Sequence, residues 1–220
     1  MSAKQKILIE AAKLIHTKGF NNTSIQDILD IASVTKSNFY YHFDSKEQLG
    51  FEVLTGRMQW FYGRVIEPSL DNPALNPLQR IYAFLDGILA LGTSPLGELG
   101  CPFGNLAQEM SAIHEPLRQA LSAFFRAGAD RLEHCFEEGK QAGIFREQLP
   151  SSQIAEFVLA QTQGMFLLRK THKDPQIMER NIDMLHQLIE GWLTHEGKQA
   201  TNRQEEIRET LPEPKTEGFE

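Results

Sequence analysis

Residues 19–49, GFNNTSIQDILDIASVTKSNFYYHFDSKEQL, decide the fold. Before this stretch, Ile7, Ala11, Leu14 and Ile15 recur at helical spacing, with Lys4, Lys6, Glu10 and Lys13 off that stripe. Gly19 suits the left-handed residue after such a helix, and Phe20 can fold back on its last turn. "TSIQ" reads as a capping box that starts a second helix at Thr23, with Ile25, Ile28, Leu29 and Ala32 as its apolar stripe. A third, short helix is predicted from about Thr35 through "KSNFYYHF". "DSKE" then opens a fourth, with Asp44 as N-cap and Glu47 three residues on, running to about Pro68.

Three short helices with a tight turn between the second and third form a helix-turn-helix arrangement, whose last helix enters the DNA major groove. The exposed residues of such a helix must be small, polar or flat. Thr35, Ser37 and Asn38 crowd its N-terminus, where free N–H groups favour a phosphate. Asn38 can pair with adenine, and Lys36 can reach guanine or a phosphate. Tyr40, Tyr41 and His42 supply further donors, Lys46 is expected on a phosphate, and Ser24 joins the DNA-facing set at the start of the second helix. Phe39 and Phe43, four apart, should face inward. Taken one by one, these features also suit a small helical core with polar decoration.

Their order decides between the two. The stretch resembles the DNA-binding signature of the tetracycline-repressor (TetR) family over about thirty contiguous residues. Gly19, Phe20, Thr23, Ile28, Ala32, Val34, Tyr40, His42, Phe43, Lys46 and Leu49 stand at the family's spacing. Ser33 departs from the usual turn glycine, Phe39 from the usual leucine, and Asn38 from the usual small residue. The resemblance implies an all-α protein of about nine helices that reads double-stranded DNA as a homodimer on a palindromic operator. It implies a helix-turn-helix domain over 1–47 and an effector-binding and dimerisation domain over 48–196. Its regulation would be release from DNA by a small molecule or electrophile. A protein of the same fold with no effector, in an architectural or cell-division role, is the alternative.

The remaining sequence is compatible with this. The formal net charge is −7, yet residues 1–56 carry six lysines and six acidic residues, so the negative charge lies in the body and the head is neutral. No run approaches a membrane span, and the N-terminus lacks a signal-peptide layout. Two cysteines make no disulfide framework, so a reducing cytoplasm is the expected location. Paired carboxylates, nucleophile–base pairs and phosphate loops are not visible, so no enzyme and no cofactor is expected.

After the break "PSLDNPALNP", helices are predicted over about 77–91, from about Asn105, from about Pro116 to "QAGIF", and over about 152–171 and 175–195. The polar, charged sequence over 197–220 predicts a disordered tail. Phe157, Gln161, Gly164 and Leu168 on the eighth helix, with Met178, Ile182, Leu185 and Ile189 on the ninth, are the candidate dimer interface, a four-helix arrangement across a two-fold axis. Central core helices are the competing reading. Trp60 and Phe61 on the fourth helix, with Phe103, Met110 and Phe124, fit either plain core or an effector pocket.

"GELGCPFGNLAQEM", residues 97–110, holds Cys101. A redox pair needs a second cysteine three positions on, where Gly104 stands, and no close Cys/His cluster offers a metal site. Cys135, within an apolar stripe, is expected in the core. Cys101 precedes a helix, a position that stabilises a thiolate. "GCPFGNLAQEM" also resembles a TetR subgroup that includes N-ethylmaleimide-responsive repressors. A thiol sensor, a lining of a non-covalent pocket and a packing residue are the three readings of Cys101.

Overall fold

The structure, a computed structural model, describes residues 1–199. They form nine α-helices: α1 (Ala3–Lys18), α2 (Ile25–Ala32), α3 (Lys36–His42), α4 (Lys46–Phe61), α5 (Pro77–Thr93), α6 (Pro102–Met110), α7 (Glu115–Gln141), α8 (Ser151–His172) and α9 (Gln176–Trp192). Among the described residues, β pairing is limited to one isolated bridge, Phe145–Leu193.

Side-chain caps set the helix starts, because each helix leaves its first N–H groups without internal partners. Ser2 and Gln5 form a reciprocal capping box at α1, and Asn76 with Gln79 does the same at α5, followed by Pro77 in the first turn. The box at α2 is Ser24 with Asp27, one residue later than expected. Thr23 is buried instead and donates its hydroxyl to the Gly19 carbonyl at 2.7 Å. At α4 the cap is Ser45, not Asp44, and it accepts the Gln48 N–H at 3.1 Å. The helix continues past Phe61 through one π-helical turn, Tyr62–Ile66, towards Pro68. The helix expected from Asn105 starts earlier, at Pro102, with Cys101 as its N-cap.

Three apolar clusters divide the molecule. In the head, Ile7, Ala11 and Leu14 of α1 meet Ile28 and Leu29 of α2, the fully buried Phe39, Phe43, and Leu49 and Val53 of α4. A large body cluster joins α5, α7, α8 and α9, with Leu85, Phe136, Val158 and Ile182 at its centre. A junction cluster holds Phe20, Leu54, Phe103, Leu106, Leu117 and Leu121. Helix α4 therefore contributes to head and junction alike, and motion along it is felt in both. Arg169 of α8 is buried, and its guanidinium meets the carbonyls of Thr93 and Ser94 at the end of α5. The negative end of that helix supplies the favourable field.

Two expectations about the body change. Met178, Ile182, Leu185 and Ile189 of α9 are buried within the chain, where they face its own core. They cannot also face a second copy. At the C-terminal side, residues 195–199 form a further helical turn, so the first residues of the expected tail are helical. Thr194 holds that turn by donating its N–H to Ile144 and its hydroxyl to Gly143. The rest of the expected tail, 200–220, lies outside the described residues.

Candidate functional site

The turn between α2 and α3 rests on Ser33, whose backbone is left-handed (φ 53°, ψ 48°). A side chain there costs more than glycine, but the conformation orients α3 across α2. Thr35 then caps α3, its hydroxyl accepting the Asn38 N–H at 3.3 Å. With Phe39 sealed inside, the opposite side of α3 presents Lys36, Ser37, Asn38, Tyr40 and Tyr41 to solvent, Tyr41 being 82% exposed. His42 is half-buried, edge-on to the Tyr41 and Phe43 rings. Lys36 lies over the Tyr40 ring with its ammonium 5.9 Å from the centroid. Ser24 is exposed, but its hydroxyl already donates to the Asp27 carboxylate at 2.8 Å. The Ser24 N–H and then that hydroxyl hold the Asp27 carboxyl below its usual range.

Lys46 does not point outward as expected. Its ammonium donates to the carbonyls of Phe20 and Thr23, each at 3.0 Å, and sits over the Phe20 ring. It ties the start of α4 to the α1–α2 turn, and one of its three donors is left for anything else.

Beside α4 lies a cavity of about 460 Å³, walled by α4, α5, α6, α7 and α8. Trp60, Phe61, Phe103, Phe124 and Cys101, for each of which a pocket was one of the readings, line it. The rings of Phe61, Phe103 and Phe124 meet one another at centroid distances of 5.6, 5.6 and 4.2 Å. Met110 does not line it; it is buried in the junction cluster, about two turns beyond Phe103 along α6. The volume and aromatic lining are those of a small-molecule site.

Three polar residues interrupt this apolar lining where α1, α4 and α6 converge. Cys101 accepts the Gly104 N–H at 3.5 Å, as an N-cap does. The helix terminus does not activate it. Burial pushes the thiol above its ordinary pKa, outweighing the N–H groups of Gly104 and Phe103, the Gln163 side chain and the nearby Arg57. At neutral pH it is a thiol. His16 and Arg57 were not anticipated. His16 is buried, and its ring pKa falls to about 4, first through burial and then through the positive charges of Arg57 and Lys170. Its Nε2 donates to the Gly100 carbonyl at 3.0 Å. Arg57 donates from Nη2 to the Ala12 carbonyl at 2.9 Å, linking α4 to α1. A charged residue on the otherwise buried side of α4, with Gly50, Val53, Leu54 and Phe61 at helical spacing, was the available signal for Arg57. For His16 the sequence holds none.

Residues 7–53 match the model of the bacterial regulatory proteins of the tetR family, and residues 77–185 match the tetracyclin repressor-like C-terminal domain. An HTH-type transcriptional regulator from the lacX 3′ region of Lactococcus lactis is 33% identical over 187 residues, covering 84% of this chain and 91% of the relative. The chain belongs to the TetR family. The repressor DhaR of a Mycobacterium strain is 29% identical over 189 residues, 84% of this chain and 88% of that one. Among solved structures, a TetR regulator from Chloroflexus aurantiacus superposes with a TM-score of 0.79 over 87% of this chain and 96% of its own, at 23% identity. The reduced form of Escherichia coli NemR gives 0.75 over 87% and 97%, at 22% identity. These two likenesses carry the fold. As a member of this family, the chain is a helix-turn-helix transcriptional regulator that binds DNA.

Proposed function

We propose that this TetR-family regulator is a homodimeric repressor that leaves a palindromic operator when a small molecule fills the cavity beside α4. The observation that carries this is the cavity itself, about 460 Å³, closed by the helix that also supplies Leu49 and Val53 to the head core. A ligand that prefers one position of α4 shifts the spacing of two recognition helices, and so the affinity for DNA. An architectural protein of the same fold has no use for such a cavity, which argues against that alternative. Relatives described as repressors, DhaR among them, support the sign of regulation.

On DNA, α3 lies in the major groove. Asn38 and Lys36 read base edges, while Thr35, Ser37, Tyr40 and Tyr41 meet the backbone, with His42 and Ser24 at the margin. The dimer forms through the side of α8 that carries the exposed Phe157 and Leu168 and the half-buried Gln161 and Gly164, together with Met184 and Leu188 of α9. Phe157, Leu168, Met184 and Leu188 are large apolar side chains left in solvent by the single chain, which is what an interface requires.

Among the described residues, no helix is long and apolar enough to cross a membrane, and action in the cytoplasm, where DNA is, is part of this proposal. Cys101 acts as pocket lining rather than as an electrophile sensor, because desolvation holds the half-buried thiol protonated. The test is fluorescence anisotropy on DNA from upstream of the gene, with and without a maleimide, for wild type and Cys101→Ser. Equal DNA binding by both proteins in both conditions is the expected result. Release of wild type alone would make Cys101 the switch.

A further inference from the structure

The cavity's polar corner carries positive charge and no counter-ion. Arg57 lines the cavity with five N–H donors, and the Ala12 carbonyl takes one of them. Among the described residues, no carboxylate forms an ion pair with it. A guanidinium partly removed from water without an anion is unfavourable, and burial lowers its pKa as that argument requires. His16, 7% exposed, lines the same corner, and every charged group acting on it, Arg57 and Lys170, is positive. The Gly100 carbonyl can only accept, so the His16 proton is on Nε2. Nδ1 is therefore a bare acceptor, buried and without a partner.

We infer that the ligand of this cavity is an amphipathic organic acid, with its anionic group on Arg57 and a neighbouring hydroxyl or N–H donating to Nδ1 of His16. This rests on the reading of the cavity as the effector site and names the chemistry it selects. The body of the acid is apolar and large enough to meet Phe61, Phe103, Phe124 and Phe166. Both polar anchors also hold α1, Arg57 at Ala12 and His16 at Gly100. An acid that draws on these two groups therefore acts directly on the first helix of the head.

Two probes with nearly the same aromatic body test this. 8-Anilinonaphthalene-1-sulfonate carries an anion beside an N–H; N-phenyl-1-naphthylamine carries the N–H alone. Binding is followed by probe fluorescence and by quenching of Trp60, a lining residue, in a Trp192→Phe background. Wild type is expected to bind the sulfonate about tenfold or more tightly than the neutral amine, the ratio of one charge-assisted hydrogen bond. Arg57→Gln should bring the two probes to similar affinity while leaving the amine's affinity unchanged, which also shows that the cavity is intact. Arg57→Lys should keep much of the preference. Equal affinities in wild type, or a preference that survives in Arg57→Gln, would overturn the inference. If neither probe quenches Trp60 in the wild-type cavity, it is the effector-site reading underneath that fails.

Discussion

His16 of α1 donates its ring N–H to the carbonyl oxygen of Gly100, 3.0 Å away, across 84 residues of sequence. Gly100 is the residue before Cys101, the N-cap of α6, so a head helix is bonded directly to the rim of the body's cavity. A second link runs from the far end of α6, where the Glu109 carboxylate accepts the Asn21 N–H at 3.0 Å. Helix α6 is thus attached to the α1–α2 region at both ends. A ligand that moves α6 by a fraction of an ångström must either carry the head with it or break one of these bonds.

Burial of His16, which the bond to Gly100 only partly offsets, makes stability depend on pH. The folded pKa, about 4, lies below the ordinary histidine value of 6.5, so between these values the unfolded chain binds the extra proton. Stability from this group is complete above pH 6.5 and is lost as pH falls towards 4. At 1.36 kcal/mol per unit the loss reaches about 3 kcal/mol. Denaturant unfolding at several pH values should show this, and His16→Gln should remove that part of the slope.

Lys46 and Tyr41 separate stability from DNA contact. Lys46→Ala takes the ammonium away from the carbonyls of Thr23 and Phe20, leaving Phe20 only the Thr23 N–H, and should cost about 1–3 kcal/mol, measured by thermal unfolding without DNA. Tyr41→Ala removes an exposed side chain and should change stability by less than about 0.5 kcal/mol while weakening DNA binding. An unaltered melting curve for Lys46→Ala would return that lysine to the phosphate contacts.

Asn38 is exposed on α3, with its backbone N–H held by Thr35. Replacing it with Ala should relax the preference at one base pair of each half-site by about 1–3 kcal/mol. Selection from a random duplex pool measures this. A uniform loss on all sequences would place Asn38 on the backbone instead.

Leu168→Glu puts a charge on the exposed apolar side of α8, outside the buried core. Light scattering should find a monomer of undiminished helicity. Ile182→Glu, on the buried stripe of α9, should unfold the body rather than split a dimer.

Much of this was legible because short-range chemistry decides it. Phe39 and Phe43 face inward, Ser33 takes the left-handed turn, and Cys135 is a core residue whose thiol burial pushes up to about 11. Periodicity could not say what covers a face. The α9 stripe reads the same whether its partner is this chain's α5 or a second molecule, and the core claimed it. Charge does not say where a long side chain turns: it points Lys46 to a phosphate, whereas two carbonyls already hold it. For Cys101, the sequence showed the helix terminus that lowers a thiol's pKa but not the burial that raises it further. His16 and Arg57 gain their meaning from residues 40 or more positions away.

The central claim is that filling the cavity releases DNA, and it can be tested without knowing the ligand. Gly128 of α7 lines the cavity, and a side chain added there meets nothing within 4 Å of its first carbon. Gly128→Phe therefore places a ring in the cavity from a helix that tolerates it. Anisotropy on the selected operator should show affinity reduced by about tenfold or more, a population shift of roughly 1.4 kcal/mol, with the fold and dimer intact. A folded Gly128→Phe dimer that holds the operator as tightly as wild type would contradict the account.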